Sequence, residues 1–170
     1  MIIREKHEVI IEKYPYFESM NKRLLEDLEK LDYPHSYTTN VKAKHTAWKV
    51  SSPNIDVILS WVTTILCDKY AWIRKRNYIV DFPNTWFVNY DKGEYTINHD
   101  HVPSTWSWVY FVNTPKGSSP LIFTSSGKKV KAEAGKLVLF PGSVYHYVPP
   151  NKCKDRIALS ANVHLLPSRS

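Results

Sequence analysis

The sequence predicts a mainly β protein with N-terminal helices, on three observations. Apolar residues recur at helical spacing in the first third, and from about Tyr78 short aromatic and β-branched runs alternate with Pro, Gly, Asn and Ser clusters. No long polar linker divides the two halves, so one domain over residues 1–170 is expected. Its first part, about 1–75, reads as helical support, and about 76–166 as the β-core, a sandwich, barrel or jelly roll.

The first helix is marked by Phe17, Met20, Leu24, Leu28 and Leu31, one face of a 3.6-residue repeat with charged residues between. A second helix is expected to start at Ser52-Pro53, where a capping hydroxyl precedes a proline in the first turn. Asp56 follows where the positive end of the helix dipole favours a carboxylate. Ile55, Ile58, Leu59, Val62, Ile65 and Leu66 then form a wide core-facing stripe. The expected strands are YIVDF, TWFVNY, EYTINHDH, WSWVYFVN, PLIFT, KVKAE, KLVLF, SVYHYV and RIALSANVHL. Gly135 and the Phe140-Pro141-Gly142 turn supply the chain reversals between them. Trp106 and Trp108 share one strand face and are assigned to core packing rather than to a substrate channel.

Composition narrows the class without naming an activity. At 43% apolar content the chain buries a full core, and no apolar run is long enough to span a membrane. The opening stretch MIIREKHEVIIEKY interleaves charges with its apolar residues, unlike a secretory signal. Cys67 and Cys153 match no metal-binding or disulfide spacing, so a cytoplasmic protein with free thiols is expected. The net charge of +7, from 23 Lys and Arg against 16 Asp and Glu, favours anionic partners. The charges are scattered, however, and Arg74-Lys75-Arg76 is a short cluster. A small anionic cosubstrate would suit the excess as nucleic acid would, so charge alone does not decide between them.

Of seven histidines, His7, His35 and His164 are read as surface or hydrogen-bonded residues, and of the other four, spacing singles out His99, His101 and His146. On a strand, residues i and i+2 project to one face and i+1 to the other. His99 and His101 therefore project together and Asp100 oppositely, and His146 in VYHYV is the best distant third ligand. Arg156 begins the strand RIALSAN, which a turn at PPNKCKD would return beside His146. An arginine in a β-core needs an anion, and its planar fork matches a carboxylate.

With these residues in place, the sequence resembles the Fe(II)/2-oxoglutarate-dependent oxygenases, most closely their compact phage and marine-bacterial group, with prolyl hydroxylases as more distant relatives. The likeness rests on Thr46-Ala47-Trp48, Trp86-Phe87-Val88-Asn89-Tyr90, Gly93-Glu94-Tyr95, His99-Asp100-His101 with Pro103-Ser104, and Ser107-Trp108-Val109-Tyr110-Phe111. It continues through Gly135-Lys136-Leu137-Val138-Leu139-Phe140-Pro141, His146-Tyr147-Val148-Pro149 and Arg156-Ile157-Ala158-Leu159-Ser160-Ala161-Asn162, spanning roughly residues 45 to 163.

The resemblance implies a double-stranded β-helix (jelly roll) that holds Fe(II) and binds 2-oxoglutarate and dioxygen. The family pattern is H-x-D/E plus a distant His. Here His101 stands where the family has a carboxylate, which leaves three arrangements open. The site uses His99, His101 and His146; or Asp100 replaces His101 through an irregular backbone; or a carboxylate from elsewhere completes the set. Arg156 is implied as the partner of the cosubstrate's distal carboxylate, with Tyr110 as a second donor and Asn89, Ser160 and Asn162 as further pocket residues. The implied activity is a hydroxylase acting on a peptide, a protein residue (prolyl by analogy) or a small metabolite. The competing readings are a cupin-like three-histidine dioxygenase without 2-oxoglutarate, and a non-enzymatic jelly-roll binding module.

Overall fold

Strand alternation sorts the apolar residues of this chain into two cores, one between two β-layers and one beneath the helices. The computed structural model describes residues 6–36 and 39–168; the first residues of the opening stretch and the side chain of His35 lie outside the described residues. The elements run β1 (Ile10–Lys13), α1 (Phe17–Leu28), β2 (His35–Ser36), β3 (Val41–His45), α2 (Pro53–Lys69) and α3 (Trp72–Lys75). They continue with β4 (Tyr78–Asp81), β5 (Thr85–Tyr90), β6 (Tyr95–His99), β7 (Trp106–Asn113), β8 (Leu121–Phe123), β9 (Lys129–Val130), β10 (Lys136–Pro141), β11 (His146–Val148) and β12 (Arg156–Pro167).

These strands pair antiparallel along the path β1-β10-β7-β12-β5-β3-β6-β11-β8-β9, with β2 on β3 and β4 on the C-terminal half of β12. The order is far from sequential, so the sheet is built from crossovers and curls into the predicted jelly roll. Strand β3 closes it: Lys44 and His45 pair with β5, while Val41 and Lys42 pair with β6 of the opposite layer.

Period-two patterning explains both faces of each central strand. Trp86, Val88 and Tyr90 of β5, Phe111 of β7, Val138 and Phe140 of β10, and Ala158 of β12 form the inner core between the layers. The intervening Phe87, Trp106, Trp108, Tyr110, Leu137, Leu139, Ile157 and Leu159 meet the helices. Trp106 and Trp108 are thus core residues, as expected. From the helical side come Met20, Leu24 and Leu28 of α1 and Ile55, Ile58, Val62 and Leu66 of α2, the stripes read from the sequence.

Polar contacts fix the helices in place. The Ser52 hydroxyl accepts from the Ile55 amide (3.1 Å) as the N-cap of α2 and donates to Asp27 of α1 (2.5 Å). Buried Asn21 donates to the Val112 carbonyl (2.6 Å) and accepts from the Tyr110 hydroxyl (2.7 Å), tying α1 to β7.

The N-terminal third is not only helical, which corrects the reading of residues 1–75 as helical support. Strand β1 extends the sheet beyond β10, with Ile10 opposite Leu139, and β3 joins both layers. The stretch Val41–His45 alternates apolar and cationic residues, a strand pattern that the stronger helical stripes on either side outweighed.

One close approach carries the path toward the site. The Gly142 carbonyl accepts from the His101 amide (2.7 Å), and the Gly142 amide donates to the Thr105 carbonyl (3.1 Å). A Cβ at Gly142 would lie 2.0 Å from the Ser104 carbonyl oxygen, a backbone atom that cannot swing aside. Gly142→Ala should therefore lower the unfolding free energy by about 2 kcal/mol or more, the range for forced overpacking. Gly127, at φ +65° with open space around it, should lose only about 1 kcal/mol on the same change. Urea denaturation of the two variants checks this; equal losses would show that the contact with Ser104 does not constrain the fold.

Candidate metal and anion site

Three imidazoles converge at one end of the inner core. His99, the last residue of β6, stands directly opposite His146 of β11 in the antiparallel register. His101 lies just past the strand end, held by the hydrogen bond that its backbone amide donates to the Gly142 carbonyl. The expected strand EYTINHDH thus stops at His99, and the turn around Gly142, rather than strand pleat, brings His101 into the group. Ring centroids lie 4.4 Å apart for His99–His146, 4.9 Å for His99–His101 and 5.1 Å for His101–His146. One ring nitrogen from each falls within 4.8 Å of the others.

Tautomer and charge both favour a cation between them. The Nδ1 atoms of His99 and His146 each lie 2.9 Å from a backbone carbonyl, of Ile97 and Val144 respectively. A carbonyl only accepts, so Nδ1 carries the proton in both and Nε2 keeps its lone pair. Burial lowers all three pKa values, His101 to about 3 and His146 to about 4, and repulsion from neighbouring histidines adds to the effect at His101 and His146. Neutral imidazoles with free Nε2 atoms are the form that binds divalent metals. The donor set therefore fits a divalent transition metal.

Asp100 is not part of the triplet. Its Oδ1 accepts from the Val102 amide (3.3 Å), and its carboxylate takes the Tyr145 hydroxyl. Of the three arrangements left open by the sequence, the geometry brings together the three histidines.

The same cavity reaches Arg156, with Val41, Val88, Val109, Leu121, Val148 and Ala158 as apolar walls. Arg156 is 1% exposed. Its Nε donates to the Ser119 carbonyl (2.9 Å), and the guanidinium lies over the rings of Tyr90 (4.7 Å) and Phe111 (5.2 Å). One terminal nitrogen is buried without a partner, and among the described residues no carboxylate pairs with it. Burial disfavours the charge, yet a guanidinium stays protonated in proteins. A cation so placed calls for an anion from outside the chain.

The remaining expected residues divide by strand face. Ser160 lines the cavity with Arg156, and Asn162 lines an adjoining recess beside His99 and His101. Tyr110 points the other way, into the helical core, where its hydroxyl is spent on Asn21; Asn89 likewise faces outward and donates to Asp155 (3.3 Å). Neither reaches the cavity, which corrects both expectations. Tyr110 shares its face with Trp106 and Trp108, so the assignment that made those core should have made Tyr110 core as well.

Two residues the sequence reading passed over take their place. Tyr90 stands opposite Arg156 in the β5–β12 register, and its hydroxyl pairs with Thr96 (2.6 Å) within the same cavity. Burial raises the Tyr90 pKa, so the phenol keeps its proton and remains a donor. The alternation of Trp86, Val88 and Tyr90 was the available signal.

Neither a protein-family model nor a curated protein sequence matches the chain. Solved structures do match in fold. An oxidoreductase of the 2OG-Fe(II) oxygenase family from Burkholderia pseudomallei superposes with TM-score 0.73 at 11% identity, over 91% of this chain and 84% of that one. A viral collagen prolyl hydroxylase from Paramecium bursaria Chlorella virus-1, solved with 2OG, gives 0.69 at 16%, over 90% and 94%. A prolyl-4-hydroxylase from Pseudomonas putida gives 0.68 at 19%, over 93% and 92%. The chain has the fold of the 2-oxoglutarate/Fe(II) oxygenases.

The lowered histidine pKa values set a pH dependence. Each folded value lies below the ordinary 6.5, so the unfolded chain binds more protons as pH drops through that region. Their contribution to stability is complete above about 6.5 and is lost as pH falls toward 4 and 3. Urea midpoints of the metal-free protein should decline across this window, and less steeply in His101→Asn. An identical slope in that variant would show that His101 is not held neutral by the fold.

Proposed function

We propose that this protein is an Fe(II)- and 2-oxoglutarate-dependent oxygenase, a hydroxylase of a peptide or protein residue or of a small metabolite. The observation that carries the reading is one cavity with a neutral three-histidine cluster at one end and an unpaired buried guanidinium in its wall. Three neutral imidazoles leave a divalent ion's full charge uncompensated, and Arg156 adds another. A dianion that chelates through one end and offers a carboxylate at the other answers both demands. 2-Oxoglutarate has that form, and the fold is that of enzymes that use it.

In this reading His99, His101 and His146 hold Fe(II) through Nε2, with Nδ1 of His99 and His146 anchored by carbonyls. Arg156 receives the distal carboxylate, oriented by its bond to Ser119 and its packing on Tyr90 and Phe111. The Tyr90–Thr96 hydroxyl pair and Ser160 offer further hydrogen bonds within the cavity. The apolar walls exclude water and so strengthen each of these contacts. Bound iron and cosubstrate would supply the activation of dioxygen, coupled to oxidative decarboxylation of 2-oxoglutarate to succinate and carbon dioxide. The prolyl hydroxylases among the structural neighbours make a prolyl residue the first substrate to try.

Anaerobic titration with Fe(II) and then 2-oxoglutarate tests the proposal. A visible charge-transfer band should appear in the wild-type protein and vanish in Arg156→Ala. Iron binding without a band would favour the cupin-like alternative, and no tight metal binding would overturn both. By equilibrium dialysis, Asp100→Ala should retain iron while His101→Ala loses at least tenfold in affinity, the scale at which metal-site changes are felt. The reverse pattern would assign the ligand to Asp100.

A further inference from the structure

A recess adjoins the proposed metal site and shares His99 and His101 with it. Its other walls include Asn40, Trp48, Trp86, Asp100 and Asn162. Three features of this wall coincide. First, Trp48 is 42% exposed, although its ring is fixed by two aromatic neighbours. His45 lies against it at 4.8 Å, and Trp86 meets it edge-on at 5.2 Å. An indole so immobilised offers π surface to a ligand at little further entropic cost.

Second, the recess is rich in acceptors. Asn162 Nδ2 donates to Asn84 (3.2 Å), which leaves Asn162 Oδ1 buried without a donor. Asp100 takes a backbone amide and the Tyr145 hydroxyl, but no lysine or arginine among the described residues pairs with it. Third, the chain carries 23 Lys and Arg, yet none of the described residues lining the recess is one of them. In a protein of net charge +7, a carboxylate with no lysine or arginine partner among the described residues, lining the same recess as an exposed indole, suits a cationic ligand.

We infer that this recess seats the primary substrate and that the substrate presents an organic cation bearing N–H groups, an alkylammonium or a guanidinium. The cation lies against the Trp48 face, Asp100 supplies the opposing charge, and Asn162 Oδ1 accepts one N–H. His99 and His101 border the recess, so a carbon near the cationic group faces the proposed metal. The inference rests on the oxygenase reading for the identity of the occupant as substrate, while the cation preference of the recess stands on its own lining.

Saturation-transfer NMR with Nα-acetyl-lysine methylamide, Nα-acetyl-arginine methylamide and their neutral glutamine and anionic glutamate counterparts tests it. Spectra are taken on the full chain with Zn(II) and 2-oxoglutarate, and again on the chain alone. At least one cationic probe should bind about tenfold more tightly than the glutamine probe, the scale of a partly desolvated cation–π contact with a counter-charge. Asp100→Asn and Trp48→Leu should each remove most of that preference, and Trp48→Phe should retain part of it. Equal binding of neutral or anionic probes, no binding by either cation, or a preference indifferent to both substitutions would overturn the inference. Comparison among probes on the unsubstituted chain keeps the test independent of how well the variants fold. If the iron and 2-oxoglutarate band is absent while the cation preference persists, the oxygenase reading fails and the recess remains a cation site.

Discussion

A guanidinium with no carboxylate partner among the described residues sits buried in this β-core, held by the Ser119 carbonyl and two aromatic rings. Removing such a charge from water costs several kcal/mol even after relaxation. Arg156 recovers part of that through the Ser119 carbonyl and two aromatic faces, but one terminal nitrogen remains unsatisfied. In the proposed function, the missing partner of this cation is an anion that arrives from outside. Strand β12 carries both halves of this arrangement. Arg156, Ala158 and Ser160 face inward, while Ile157, Leu159 and Ala161 fasten the strand to the helical core.

The histidine cluster shows the complementary logic. Burial keeps its three imidazoles neutral, and two backbone carbonyls fix which nitrogen bears the proton. In the proposed function, a divalent ion on this neutral set and the buried cation together favour a dianionic ligand; a carboxylate in the triplet would reduce that charge by one. Asp100, turned toward Val102 and Tyr145, is left free for a different use at the mouth of the site. In the proposed site, one residue step separates two electrostatic roles, with His101 in the histidine triplet and Asp100 on the adjoining recess.

Much of this was legible in the sequence because strands report their faces. The stripes of α1 and α2, the Ser52 cap and the two faces of β7, β10 and β12 follow from periodicity or spacing, whereas His101 joins His99 and His146 through the turn at Gly142 and not through the strand pleat that predicted it. The lapses came where that rule was not carried through. Tyr110 and Asn89 were assigned to the site although their neighbours two residues away are core residues of the helical face, and Tyr90 was overlooked although it stands on the face of Trp86 and Val88. Register supplies what a single strand cannot: only the pairing of Arg156 with Tyr90 shows which aromatic meets the guanidinium. Strand β3 was missed for a different reason. Its alternating Val41–His45 stretch is short, and its importance comes from bridging two layers, a relation no local pattern encodes.

The central claim is that Arg156 is retained for an anion and not for the stability of the fold, and thermal unfolding of Arg156→Met measures this directly. Without ligands, the variant should be at least as stable as the wild type, since replacing a buried, poorly compensated charge by an apolar side chain is often neutral or stabilising by about 1–4 kcal/mol. With Mn(II) present in both, excess 2-oxoglutarate should stabilise the wild type by about 2.7 kcal/mol at a hundredfold excess over Kd and the variant by much less. A variant that is markedly less stable without ligands, beside a wild type that 2-oxoglutarate leaves unchanged, would contradict the account.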